Sequence, residues 1–270
     1  MFKYIISNMK CLIDGFTIFG WDVKFYGIIM AFAMLIGVLL ACRNAKYRNL
    51  TNDNIYALAL YILPLSVIGA RLIYCLGAEH PYTLVEILRI WDGGLSIYGG
   101  IIGGALGVCL YCLIHKKNFF DVTDIACVSL ILGQAIGRWG NFFNQEVYGK
   151  LVENKALHWF PFSVFIDNGI DAGWHYALFF YEFLINLAIF AVLFILLKKI
   201  KQKGYITGLY LIAYGTIRFL LEPLRMQTYN LMLFGLKLSS LISVLAVIGG
   251  IVILVLNYTI SKRGKKVGKK

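Results

Sequence analysis

The sequence predicts an all-α polytopic membrane protein of about seven transmembrane helices, N-terminus outside and C-terminus cytoplasmic. Composition is the first reason. Of 270 residues, 60% are hydrophobic and 15% charged, and the mean hydropathy is +0.74, whereas a soluble domain is about 45–50% apolar. The second reason is a set of seven apolar runs approaching the roughly 20 residues a helix needs to cross a bilayer. The third is where the basic residues fall. Lys and Arg number 26 against 14 Asp and Glu, a formal net charge of +12. In a soluble protein that balance suggests nucleic acid; here it gathers in alternate short loops, which argues for topology and against nucleic acid as a partner.

The runs fall near 23–42, 54–76, 97–114, 122–137, 177–197, 205–221 and 238–260. Arg43, Lys46 and Arg48 follow the first run, Lys116 and Lys117 the third, Lys198, Lys199, Lys201 and Lys203 the fifth, and a tail from Lys262 to Lys270 the seventh. All lie on the C-terminal side if the spans alternate, so 43–53, 115–121 and 198–204 are placed inside and 77–96, 138–176 and 222–237 outside. The fourth and sixth runs are short, so they are expected to end near the chemistry. The outer segments carry more aromatic, Gly and polar residues, which suits interfacial pieces and re-entrant turns, with 150–175 as an interfacial flap. No repeat, low-complexity tract or linker marks a second domain, so 1–270 reads as one membrane-embedded domain. The first 22 residues lack the order of a signal peptide and are expected to be retained.

The densest polar signal is Gly137-Arg-Trp-Gly-Asn-Phe-Phe-Asn-Gln-Glu-Val-Tyr-Gly149. Arg138, Asn141, Asn144 and Glu146 interleave with Trp139, Phe142, Phe143 and Tyr148. An arginine where a span meets the interface is costly unless it meets an anion, and the guanidinium fork matches phosphate oxygens. A lipid phosphate is the candidate; the bland alternative is a snorkelling arginine within an aromatic belt. The second signal is Tyr214-Gly-Thr-Ile-Arg-Phe-Leu-Leu-Glu-Pro-Leu-Arg225, in which helical spacing puts Tyr214, Arg218, Glu222 and Arg225 on one face. Its alternative is an Arg218–Glu222 pair that only fixes packing.

The third signal is Gly93-Gly-Leu-Ser-Ile-Tyr-Gly-Gly-Ile-Ile-Gly-Gly104, running on to Gly107. The spacing of Gly99, Gly103 and Gly107 is the small-xxx-small pattern of close helix packing and leaves Ser96 and Tyr98 unexplained. Glu182 and Tyr26, each beginning an apolar run, map to the same outer ends. Cys11, Cys42, Cys75, Cys109, Cys112 and Cys127 show no disulfide framework and read as small apolar fillers, including the Cys109/Cys112 pair. His80, His115, His158 and His175 show no ligand spacing and read as solvated interface residues, so no metal is expected.

The three motifs, in this order, resemble the hallmarks of the prolipoprotein diacylglyceryl transferases of the bacterial plasma membrane, and the thirteen residues from Gly137 are the most specific of them. The resemblance spans Tyr26 to Arg225. It implies a seven-helix transferase without a cofactor. Its partners would be phosphatidylglycerol in the bilayer and prelipoproteins, whose lipobox cysteine thiol accepts the diacylglyceryl group as glycerol 1-phosphate leaves. The active site would face the outer leaflet. It further implies that Arg138 holds the headgroup, with Asn141, Glu146, Arg218 and Glu222 as further functional positions. Tyr98 stands where the family often carries His, and a phenol with a pKa near 10 is a poor base at neutral pH without a nearby cation.

The chemistry of such a transfer needs a thiolate and a stabilised leaving phosphate. Arg138 and Arg218 are the expected clamp, Glu222 and Glu146 their orienting carboxylates, and Tyr98 a headgroup contact or proton relay; Tyr26, Tyr214 and Glu182 complete the expected lipid site. Two other classes remain at this point. A transporter would use the same intramembrane charges, though near the midplane and in repeated halves. A non-catalytic scaffold has no need for so dense a polar cluster.

Overall fold

A computed structural model describes residues 15–18, 21–78, 82–169, 171–226, 232–233 and 236–267. Cys11, His80 and the end of the basic tail lie outside the described residues. All seven apolar runs are helical: α1 Phe25–Asn44, α2 Asn52–Leu76, α4 Ile97–Ile114, α5 Phe119–Phe143, α6 Leu178–Lys199, α7 Tyr205–Leu221 and α8 Leu238–Val267. The five-residue α3 is Leu84–Leu88. Antiparallel hairpins β1–β2 (Gly15–Ile18, Trp21–Lys24), β3–β4 (Ser163–Asp167, Ala172–Tyr176) and β5–β6 (Met232–Leu233, Leu236–Lys237) punctuate the chain. Among the described residues, six helices are long and apolar enough to cross a membrane; α7, at 17 residues, is shorter.

The chain divides into two compact units, one of residues 1–37 with 127–270 and one of 38–126. In the smaller unit α2 packs on α4 through a seam of glycines. A methyl on Gly99 would strike the Gly69 carbonyl and one on Gly103 the Leu65 carbonyl, so the backbones touch where side chains would hold them apart. The opposite face of α4, with Ile97, Ile101, Leu106 and Leu113, is exposed, as a lipid-facing stripe should be. Arg48 Nε donates to Asp124 Oδ2 at 2.9 Å and Nη2 lies 2.9 Å from the same oxygen, in an ion pair that is almost wholly buried.

Arg71, also buried, pairs with no carboxylate in the contacts described. Its guanidinium donates to the carbonyls of Glu86, Ile87, Gly93 and Gly94 and lies beside the Tyr74 and Tyr82 rings. It gathers the end of α3 and the glycine turn before α4 onto α2. Gly94 has φ +69°, and a side chain there would run into Tyr74 and Arg71, so both space and conformation demand glycine.

In the larger unit, Tyr26, Met30, Ala33 and Gly37 of α1 face Gly140, Gly137, Gly133 and Ser129 of α5. Gly208 and Gly215 of α7 likewise meet Gly250 and Ser243 of α8. An aromatic cluster of Trp139, Phe142 and Phe143 from α5 with Phe179, Phe180 and Phe183 from α6 fixes the facing rotation of these two helices.

Candidate active site

The first two signals read from the sequence meet, with Glu182, at one end of α5, α6 and α7. The fourth apolar run was expected to stop at 137, but α5 continues to Phe143, because Arg138 and Asn141 are helical residues on its site-facing side. The helix then closes in a Schellman motif. The Gln145 N–H bonds the Phe142 carbonyl at 3.1 Å and the Glu146 N–H bonds the Asn141 carbonyl at 3.0 Å, with Gln145 in the left-handed region at φ 48°. This fold-back sets the Glu146 carboxylate over the last turn, where Asn141 donates to it at 2.9 Å and Asn144 at 3.5 Å.

The turn is held from outside by the β3–β4 hairpin. The Gln145 side-chain oxygen accepts from the Asp167 N–H at 2.8 Å, Asn168 donates to the Gln145 carbonyl and the Tyr148 hydroxyl, and that hydroxyl donates to Asp171 at 3.3 Å. Val147 is at φ 58°, a conformation that costs a β-branched residue about 1–3 kcal/mol. The chain proceeds to Gly149, which bridges Arg225 on one side and takes the Tyr176 carbonyl on the other. The segment 150–175, expected as a flap, is thus partly a β-hairpin stitched to the signature turn, with Trp159 and Phe162 exposed.

His175 departs from the solvated reading. It is fully buried, because strand alternation turns it to the covered face of β4, where Nδ1 meets the Gly149 carbonyl at 2.9 Å and the ring packs on Tyr148. His158 stacks on Trp174, and His115 on Tyr111.

The charges converge on Glu182, one turn into α6 and buried. Its Oε2 lies 2.6 Å from Arg138 Nε and its Oε1 3.5 Å from Arg218 Nη1. Glu222, opening the 3-10 turn that Pro223 enforces after α7, pairs with Arg218 at 3.5 Å and Arg225 at 3.8 Å. Arg138 Nη1 also donates to Asn141 Oδ1 at 3.3 Å, and Tyr214 lies beside it. The Tyr26 ring lies against Gly140, close enough to Arg138 and Glu146 to feel both charges.

Glu182, expected only as a lipid contact, is therefore the carboxylate that orients both arginines. Glu146, expected in that role, bonds Asn141 and Asn144 and reaches Arg138 through Asn141. In the ion pairs of the described residues three guanidiniums share two carboxylates. Arg218 Nη1, Glu182 Oε1 and both Glu222 carboxylate oxygens are buried without hydrogen-bond partners, and the contacts of Arg218 Nη1, Glu182 Oε1 and Glu222 Oε2 are ion pairs. Tyr98 belongs to the other unit, half-buried in the first turn of α4. Among the described residues no group of three or more His, Cys, Asp or Glu is arranged to hold a metal.

The family pattern described as prolipoprotein diacylglyceryl transferase matches residues 15–256. Curated relatives carry the name phosphatidylglycerol–prolipoprotein diacylglyceryl transferase. One from Clostridium botulinum strain Langeland is 39% identical over 256 residues, covering 93% of this chain and 98% of the relative. One from Clostridium perfringens, numbered 1, is 38% identical over 257 residues, covering 93% and 95%. One from Clostridium novyi is 37% identical over 245 residues, covering 89% and 94%.

Proposed function

Because the chain belongs to the prolipoprotein diacylglyceryl transferase family, we propose that it moves the diacylglyceryl group of phosphatidylglycerol onto the thiol of the lipobox cysteine of a prelipoprotein. The sulfur attacks the glycerol carbon that bears the phosphate ester. The new C–S bond forms as the C–O bond breaks, glycerol 1-phosphate leaves with the electron pair, and the thiol proton is lost to a base or to solvent. The observation that carries this reading is the pair of guanidiniums, Arg138 and Arg218, held side by side on the buried Glu182, because two forks so placed match the oxygens of one phosphodiester.

In this mechanism Arg138 and Arg218 bind the phosphate and stabilise the charge that grows on the leaving group. Glu182 holds both guanidiniums in place and Glu222 supports Arg218 against Arg225. Asn141 and Glu146 close the headgroup side, and Tyr26 and Tyr214 flank Arg138. A tightly packed aromatic floor beneath Trp139 limits water. The enzyme is placed in the bacterial plasma membrane with seven spans, the short α7 among them, its C-terminus inside and this site toward the outer leaflet; the basic loops after α1, α4 and α6 support that orientation. No observation favours a transporter.

The test is transfer of labelled diacylglyceryl from phosphatidylglycerol vesicles to a synthetic lipobox peptide. Transfer that fails with Arg138→Ala and with a Cys-to-Ser peptide is the expected result. Normal transfer by Arg138→Ala would overturn the clamp, and none by folded parent protein would overturn the function.

A further inference from the structure

One helical turn beneath the charged cluster lies a second polar layer without charge. Gln134 precedes Arg138 by four residues on α5, Tyr210 precedes Tyr214 by four on α7, and Asn186 follows Glu182 by four on α6. Residues so spaced share a helix face, so each helix that sends a group to the charged layer sends a neutral polar one to the layer farther from the helix end. Gln134 Nε2 is 3.1 Å from the Tyr210 hydroxyl and Oε1 3.3 Å, the Tyr210 ring stacks on Tyr214 with centroids 5.7 Å apart, and Tyr210 and Asn186 are buried. Neutral polar side chains amid apolar spans are costly unless hydrogen-bonded, and they serve either to join helices or to meet a polar group of a ligand.

The spacing has a chemical counterpart. Four residues of α-helix rise about 6 Å, comparable with the length of the glycerol unit that separates a lipid phosphate from its ester carbonyls. An ester carbonyl accepts hydrogen bonds and donates none, so its site needs a donor. The Gln134 amide carries two N–H groups, and pairing with one hydroxyl uses one of them. The hydroxyl donates back to Oε1 and so fixes which way the amide points.

Resting on the proposed function, we propose that the Gln134–Tyr210 pair is an ester-recognition subsite. With the phosphate on Arg138 and Arg218, the remaining Gln134 N–H donates to an ester carbonyl of the diacylglyceryl group. The lipid is then held at two levels, and the glycerol carbon between them is presented to the thiol. Tyr210 is a positioning residue for Gln134.

The experiment is competition between ester phosphatidylglycerol and its dialkyl ether analogue in the same vesicles, with the full chain and a lipobox peptide, read as the ratio of the two products. One hydrogen bond corresponds to a preference of about tenfold for the ester lipid in the parent protein. Gln134→Leu is expected to bring that ratio near one by losing ester transfer, and Tyr210→Phe to lower it part of the way; the second variant removes one hydroxyl and guards against a misfolded first. A fall of both products in the same proportion, with the ratio kept, would show that the pair only packs helices and would overturn the subsite. Equal transfer from both lipids by the parent would overturn the subsite alone, whereas a parent that transfers from neither removes the function and the subsite together.

Discussion

Glu182→Gln is the substitution that separates the geometry from simple electrostatics. The amide keeps the size of the side chain and can still accept a hydrogen bond from Arg138, but it removes the charge that Arg138 and Arg218 share and turns an NH2 donor toward Arg218. With the Glu182 side chain only 6% exposed, water screens little. Deleting one partner of a buried ion pair costs about 3–5 kcal/mol, and even half of the lower figure is roughly a tenfold loss while the whole is about a hundredfold. Net charge alone predicts the opposite: a negative group lost beside a phosphate site should strengthen lipid binding. Transfer is measured against phosphatidylglycerol content in vesicles, normalised to folded protein by limited proteolysis. The expected outcome is an unchanged or lower KM with kcat reduced about ten- to hundredfold, and partial recovery in Glu182→Asp, which restores the charge on a shorter arm. A fully accumulated Glu182→Gln enzyme with kcat within about twofold of the parent would refute the shared-carboxylate role.

Further outcomes follow from other parts of the structure. Gly103→Ala should cut accumulation in the membrane sharply, since the methyl strikes the Leu65 carbonyl, while Gly100→Ala, whose nearest neighbour is the Ala70 methyl at 3.8 Å, should accumulate normally by immunoblot. Asp124→Ala strands the buried Arg48 guanidinium and should cost about 3–5 kcal/mol, but the double change Arg48→Met with Asp124→Leu should recover much of that, read by thermal aggregation in detergent. Val147→Gly relieves a left-handed β-branched residue, a gain of about 1–3 kcal/mol offset by about 1 kcal/mol from the freer unfolded chain, and should raise the unfolding temperature measured in detergent.

What the sequence made legible was what local spacing encodes. Arg138, Asn141 and Glu146 stand together because a helix and its C-cap bring them together, and Arg218 meets Glu222 because they are four apart on one helix. The glycine seam of α2 and α4 was readable in the same way from Gly99, Gly103 and Gly107. Glu182 was visible as an acid at the start of an apolar run, but its two partners come from α5 and α7, and nothing in one sequence pairs residues so far apart. His175 was misread for a related reason: its burial comes from a strand pairing with Leu151 and Tyr148 nearby, in a stretch whose aromatic content resembled an interfacial flap. The end of α5 was placed too early because polarity was taken as the edge of the helix, when the polar residues form its inner face.

The cluster around Glu182 and the anchor around Arg71 use the same cation in two chemically different ways. Carboxylates gain and lose protons and exchange partners with any anion that arrives, which suits a place where a phosphate must enter and depart. Arg71 is instead satisfied by peptide carbonyls and tyrosine rings, groups that do not titrate near neutrality and do not attract counter-ions. The turn leading to Tyr98 should therefore keep the same hydrogen-exchange protection from acidic to mildly basic pH and in membranes of any anionic lipid content. Its shape is insulated from the surface charge of the membrane.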